Sequence, residues 1–528
     1  MNFFILILSS TFLISSTIEK ISFDWGGQYG LIKNNGAVLF NTDWRSNHLF
    51  FDGTWANFPT MYGELIETGF NDIVSIGFDN ENNDSLYSNT EVLYKIGDFS
   101  LDQFSFNIER SDKNKAYNIY AFKRSFAGFE NQYFNNSSQP IQQSYIVSLL
   151  SNKENTIGSI HLGHFNTYSN FPDEESSSKY RQIITTANSK IQQNYGKFSL
   201  ILSLDNFLQK LRSNHSLSIT TKNRFLARSI FEGKINFSGS NDWDTSISFL
   251  QNKRSIKTDS IRFQNWNSVL VNMLYKNFDL HLQYGSINKQ LLSGYGLNIH
   301  KEIMGFFLKL SLLADSKPSH PYYQIANDTN ENQSFEKNIS KILTLNYQTG
   351  KSLFHSRVTF IDGVNPFWNN NEKTRTLFIK INNQLSSKFY FSVFYNHEKN
   401  ITYHTGGMGD WYGMDIDYKI NILKNNMDFI VNTNIKNYNK RTSNVYFNPI
   451  EMIPIRKNLS DNIGNMTLLN FGITINISSV TFQYNWTNLL ELLNINNESE
   501  KFNKVTFNPT MPYNGWQKKI SIVWHFLN

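Results

Sequence analysis

The residues with the best claim to chemistry are charged side chains on the polar side of alternating segments. They are Arg357, Lys380, Asp415, Asp417, Lys419, Asp428, Lys436 and Lys519. Lining a water-filled passage, such groups select solutes by electrostatics, as charged rings do in pores. The blander account is that any wide passage needs polar residues toward water, with opposite charges cancelling locally. The mixed signs argue against strong selectivity for either anions or cations. A second group is His397, Glu398 and His404, just ahead of Gly406-Gly407-Met408-Gly409-Asp410. Zinc needs His and carboxylate ligands converging within about 2.0–2.2 Å, and this spacing matches no zinc motif, so the residues read as solvated loop. The glycine-rich piece lacks the strand–turn–helix setting of a phosphate cradle. No Gly-x-Ser-x-Gly elbow occurs. His355 and Arg357 share one face of their segment while Ser356 points the other way. No enzyme activity, resident cofactor or metal is expected from these patterns.

The elements that must position those side chains are strands of period two. Segment 412–421 places Tyr412, Met414, Ile416, Tyr418 and Ile420 on one face, with Gly413, Asp415, Asp417, Lys419 and Asn421 on the other. Segment 480–487 sets Val480, Phe482, Tyr484 and Trp486 against Thr481, Gln483, Asn485 and Thr487. Successive strand side chains face opposite ways, so each segment has one apolar and one polar wall. Tight connections at Thr349-Gly350-Lys351, Ser386-Ser387, Lys424-Asn425-Asn426 and Ser478-Ser479 alternate with long ones near 315–338, 362–373, 397–411, 437–463 and 489–515. Short turns at one end of every hairpin and long loops at the other are the pattern of an outer-membrane barrel. The fold expected is all-β: a transmembrane antiparallel β-barrel of roughly 22–26 strands with short periplasmic turns and long extracellular loops. Further loops are expected on the outer side at 166–178, 207–222 and 252–259.

Composition agrees. Aromatic residues are 15% of the chain although its mean hydropathy is −0.41, which suits a polar lumen and an aromatic exterior at the membrane interfaces. The absence of Cys excludes disulfides, thiolate metal sites and a lipoprotein anchor. A net charge of +6 without clustering gives no nucleic-acid footprint. The run Phe3-Phe4-Ile5-Leu6-Ile7-Leu8 followed by Ser15, Ser16 and Thr17 reads as a signal peptide over 1–17, with the barrel over 18–528. Strand-like segments at Lys20–Leu31 and Gly36–Trp44 leave no room for a sizeable plug before the barrel. A propeller would need a repeat of about 40–50 residues, and none occurs.

The closing segment, Met511-Pro512-Tyr513-Asn514-Gly515-Trp516 through Ile520-Ser521-Ile522-Val523-Trp524-His525-Phe526, resembles the final hairpin of bacterial outer-membrane barrels. The resemblance is to porin-like and TonB-dependent-type barrels of Bacteroidota-like bacteria. It implies recognition by the barrel-assembly machinery, with Trp516, Ile520, Ile522, Trp524 and Phe526 facing lipid. Trp516 stands where a basic residue commonly follows the Gly, and the chain continues two residues past Phe526. The resulting expectation is a Gram-negative outer-membrane protein for passive, porin-like diffusion of small solutes. The alternatives are a barrel component of a secretion or surface-polymer export system, plugged by loops or a partner, and an outer-membrane enzyme or adhesin using its extracellular loops. Loop 315–338, with Pro318 and Pro321, is the candidate for narrowing the lumen.

Overall fold

Each apolar wall needs lipid and each polar wall needs water, and one closed sheet supplies both. In the computed structural model of the chain, the described residues are 19–21, 31–34, 37–38, 87–125, 127, 141–170, 179–213, 223–239, 243–259, 261–287, 290–318, 335–364, 371–399, 410–423, 426–439, 445–448, 453–456, 465–494 and 516–527. Three short strands, β1 (Glu19–Ile21), β2 (Leu31–Asn34) and β3 (Ala37–Val38), pair among themselves in a sheet separate from the barrel. The signal-peptide expectation, 1–17, lies outside the described residues.

The barrel runs from Tyr87 to Leu527. Its first strands are β4 (Tyr87–Gly97), β5 (Leu101–Ser111), β6 (Lys115–Ser125), β7 (Ile141–Lys153), β8 (Thr156–Asn170), β9 (Lys179–Tyr195) and β10 (Phe198–Ser213). Then come β11 (Arg224–Ser238), β12 (Trp243–Lys257), β13 (Ile261–Tyr275), β14 (Phe278–Ile287), β15 (Gln290–Ile303) and β16 (Phe306–Pro318). The third stretch holds β17 (Phe335–Thr349), β18 (Ser352–Val364), β19 (Asn371–Gln384), β20 (Phe389–Lys399), β21 (Asp410–Ile422) and β22 (Met427–Asn439). Two short strands, β23 (Val445–Asn448) and β24 (Ile453–Arg456), form a hairpin of their own. The wall resumes with β25 (Met466–Ile477), β26 (Val480–Thr487) and β27 (Gln517–Leu527). A helix of one and a half turns, α1 (Leu489–Asn494), follows β26.

Every barrel strand is antiparallel to its neighbours, and β27 pairs with β4 from Lys519↔Gly97 to Leu527↔Asn89 to close a wall of 22 strands. Closure leaves no sheet edge, the only way a sheet satisfies its backbone groups in lipid. The seam is reinforced at one rim, where the Asp98 carboxylate and backbone amide engage Lys518: Lys518 N donates to Asp98 Oδ2 at 2.7 Å and Asp98 N to Lys518 O at 3.0 Å.

The wall is inside-out relative to a soluble protein. On β10, Leu200, Leu202 and Leu204 are exposed at about 40%, whereas the intervening Ile201 and Asp205 are buried. On β5, Phe104 is exposed while Gln103, Ser105 and Asn107 are buried. A continuous apolar exterior of this extent is incompatible with water and requires a bilayer. Aromatic pairs ring the rim of tight turns: Phe198–Phe237 at 4.9 Å, Trp243–Tyr275 at 5.5 Å and Phe306–Tyr347 at 4.1 Å between ring centroids. Lys276 Nζ caps Tyr275 at 5.4 Å, at the level where an aromatic girdle meets the headgroups.

The strands extend further than the sequence pattern suggests. The expected loop 252–259 is mostly strand, because β12 continues to Lys257, and β13 begins at Ile261. Likewise β10 extends to Ser213, β8 to Asn170 and β16 to Pro318, and β17 starts at Phe335, so both ends of the loop expected at 315–338 are strand. Above the bilayer both walls of a strand are wet, so polarity stops alternating there while the hydrogen-bonded ladder continues. Residues 319–334 lie outside the described residues.

Candidate functional site

Register decides which lumen side chains meet. Four successive inward rows cross the wall formed by β19 to β22. The row toward the long-loop rim contains Phe378, Asn396, Trp411 and Tyr438, with Arg357 of β18 at its end. Next come Lys380, Phe394, Gly413 and Lys436. Below them lie Asn382, Ser392, Asp415, Asn434 and, on β25, Asn470. The fourth row holds Tyr390, Asp417, Asn432, Gly472, Asn485 and Lys519.

The upper rows are aromatic. Trp411 packs with tilted rings at 5.8 Å from Phe378, 5.4 Å from Phe394 and 6.5 Å from Tyr438 between centroids. Lys436 Nζ lies 5.7 Å from the Phe394 ring centre, a cation–π distance. Phe394 can lie flat against the wall because its register neighbour is Gly413: a Cβ there would meet Phe394 Cζ at 2.6 Å and Cε2 at 2.8 Å.

The lower rows are polar. A cavity of about 570 Å³ is lined by Lys95, Lys380, Tyr390, Ser392, Asp415, Asp417 and Lys519 together with asparagines of β22, β25 and β26. Asn434 donates to Asp415, and Asn470 Nδ2 to Asn434 Oδ1 at 3.4 Å. Asn470 Oδ1 in turn accepts the backbone N–H of Asn488 at 3.0 Å. Asn488 precedes α1 and bonds Glu491 Oε2 through Nδ2 at 2.7 Å. Because Asn470 faces the lumen, this bond brings the start of α1 against the inner wall. Gly472 fits beneath two converging amides, since a Cβ there would collide with Oδ1 of both Asn432 and Asn485.

The structure distributes the sequence-derived candidates as follows. Lys380, Asp415, Asp417 and Lys519 line the one cavity, although Lys519 is remote in sequence from the rest. Lys436 sits one row above it against Phe394, and Arg357 sits above that. Lys419 and Asp428 form their own ion pair at 2.8 Å further down the wall. On the outer wall, Ile520, Ile522 and Trp524 stand opposite Tyr484, Phe482 and Val480, and Phe526 is exposed. Trp516 lies just before β27, packed edge-on to Phe99 at 6.4 Å. His397 meets Asp410 at 3.0 Å instead of a second histidine; His404 lies outside the described residues. Among the described residues no group of three His, Cys, Asp or Glu side chains could hold a metal ion.

Sequence reasoning missed Lys95, Ser392, Asn434 and the aromatic row. The period-two signal was present in 389–399, but both of its walls carry aromatics, with Tyr390 and Phe394 inward and Phe391, Val393 and Tyr395 outward. Polarity alone could not say which wall was wet.

No known family profile matches the sequence, and no curated protein matches it. Solved structures do. The apoprotein form of the FrpB iron transporter from Neisseria meningitidis (F5-1 variant) superposes with a TM-score of 0.64 at 9% identity, covering 83% of this chain and 81% of that one. The siderophore receptor PirA from Pseudomonas aeruginosa gives 0.58 at 10% identity, covering 84% and 81%. The copper transporter OprC gives 0.61 at 10% identity, again covering 84% and 81%. At such identities the likeness is one of fold alone: this chain is built, as they are, as a large closed β-barrel of the outer membrane.

Proposed function

We propose that the chain carries small polar solutes across the outer membrane through its lumen. The observation that supports this most directly is the polar cavity on the lumen wall, where charged and amide groups from seven neighbouring or near-neighbouring strands converge on water-accessible space. A barrel serving only as an anchor needs a wet inner wall but no such convergence. Structurally similar barrels are named as transporters and receptors for iron, siderophore or copper. That likeness favours selective uptake over a featureless pore, while diffusive, porin-like passage remains the simplest form of the activity.

The test is planar-bilayer conductance of the purified, refolded protein, paired with solute uptake into proteoliposomes. Steady channels or solute flux above that of empty vesicles support transport. A correctly folded barrel with neither points instead to a surface-polymer export or anchoring role.

A further inference from the structure

The groups facing the cavity are not equally committed. Asp415 is engaged by Asn434, and Lys436, outside the cavity in the row above, by the ring of Phe394. Lys95 and Lys519 have interactions of their own. Among the charged groups that line the cavity, the cation Lys380 and the anion Asp417 have no hydrogen bond or ion pair among the described residues, and the hydroxyl of Ser392 lies between them. Ser392 is the informative one. It is only 1% exposed, and its Oγ has no hydrogen-bond partner. A buried hydroxyl in that state costs stability unless something else completes it. On the same row, Oδ1 of Asn382 is also buried and unpartnered.

We infer that this wall binds its solute as a zwitterion, a short peptide whose carboxylate sits on Lys380 and whose ammonium sits on Asp417, with Ser392 bonding the peptide unit between. The inference rests on the transport reading and names its substrate class. Register gives the span. Lys380 is opposite Phe394, Phe394 is opposite Gly413, and Asp417 is four residues further along β21. Two strand spacings and four residue rises place the two Cα atoms about 16 Å apart. The side chains leave the wall roughly at right angles, so the two charges stay about 12–16 Å apart, and an ion-pair contact of about 2.8 Å at each end leaves roughly 6–10 Å between the solute's own charges. A single amino acid, at about 3.5 Å per residue, is too short, whereas an extended dipeptide spans about 7 Å. The cavity of about 570 Å³ accommodates that size. The aromatic row above, with Trp411 and Phe378 at 5.8 Å, lies on the approach from the long-loop rim and offers apolar surface to peptide side chains.

The experiment is isothermal titration of the detergent-solubilised full chain with glycylglycine, N-acetyl-glycylglycine, glycylglycine amide and glucose. Glycylglycine is expected to bind at least about tenfold more tightly than either blocked form, because each blocking removes one charge-assisted bond. In Lys380→Ala the acid and the amide should bind equally; in Asp417→Asn the free and acetylated amines should bind equally. Equal binding of all the dipeptides, loss only on changing Lys380, or preference for glucose would each overturn the proposal. The blocked ligands test it on the unaltered protein even if a variant fails to fold. Binding is read without flux, so a protein that binds glycylglycine but conducts nothing refutes the transport reading and leaves the site intact. A protein that conducts but does not distinguish the dipeptides refutes the site alone.

Discussion

Replacing Gly413 with alanine should loosen the inner wall at one identifiable point. The added Cβ would meet the backbone carbonyl of Ile435 on the next strand and Phe394 Cζ at 2.6 Å. The carbonyl belongs to the sheet ladder and cannot yield cheaply, so β21 and β22 must shift apart locally. The ring can swing, but doing so breaks its contacts with Trp411 at 5.4 Å and with Lys436 at 5.7 Å. Overpacking of this kind costs about 1–3 kcal/mol. Losing the aromatic pair adds about 0.5–1.5 kcal/mol. The expected destabilisation is therefore about 2–4 kcal/mol, measured by reversible urea unfolding in detergent or lipid. The sharper readout is the cycle with Phe394→Leu. Once the ring is gone, only the carbonyl clash remains, so Gly413→Ala should cost about 0.5–1.5 kcal/mol less in that background. Additivity within about 0.5 kcal/mol would show that Phe394 does not depend on Gly413, and the layered description of this wall would be wrong.

Other perturbations follow from the same geometry. Ile522→Arg puts a charge on the lipid face near the middle of β27, opposite Phe482; a loss of about 2–4 kcal/mol in unfolding experiments is expected, and a neutral result would place that face away from lipid. Lys419→Ala breaks the pair with Asp428, which is partly exposed at both ends, so stability should fall by less than about 1 kcal/mol. Asn470→Ala removes the acceptor that brings Asn488 to the inner wall; single-channel conductance should rise if the start of α1 narrows the lumen, and unchanged conductance would dismiss that role. At the rim of tight turns, Asp112 Oδ1 accepts the backbone N–H groups of Asn114 and Lys115 at 2.8 and 2.7 Å, and these bonds hold its carboxyl below its ordinary value of 3.8. The turn is therefore supported by the ionised form above that value and loses this support as pH falls through the lowered one. In Asp112→Asn, the protection factor of the Asn114 amide, its exchange relative to the intrinsic rate, should no longer change with pH over that interval.

Much of this barrel is legible in one dimension because strand periodicity is a local property. A wall that must face lipid writes itself as every second residue apolar, as in Val480, Phe482, Tyr484 and Trp486, and the structure reproduces that strand from Val480 to Thr487. Tight turns such as Ser478-Ser479 are equally local, since two residues suffice to reverse an antiparallel pair. The ends of strands are less visible: Lys253, Arg254 and Ser255 continue the ladder of β12 where the sequence shows only polarity, because above the membrane the backbone keeps pairing after the side chains stop alternating.

The amino-acid order by itself determined the fold class and the alternation of tight and long connections. Only the tertiary structure decided which of the charged residues are neighbours. Asp417 and Lys519 share a row because the register of β21, β22, β25, β26 and β27 aligns them, and a one-residue slip anywhere along that path would separate them. The commitment of Asp415 to Asn434, the cover that Phe394 finds over Gly413 and the isolation of Ser392 arise the same way. Facing is set residue by residue along one strand, whereas neighbourhood is set by pairing between strands that the sequence keeps far apart.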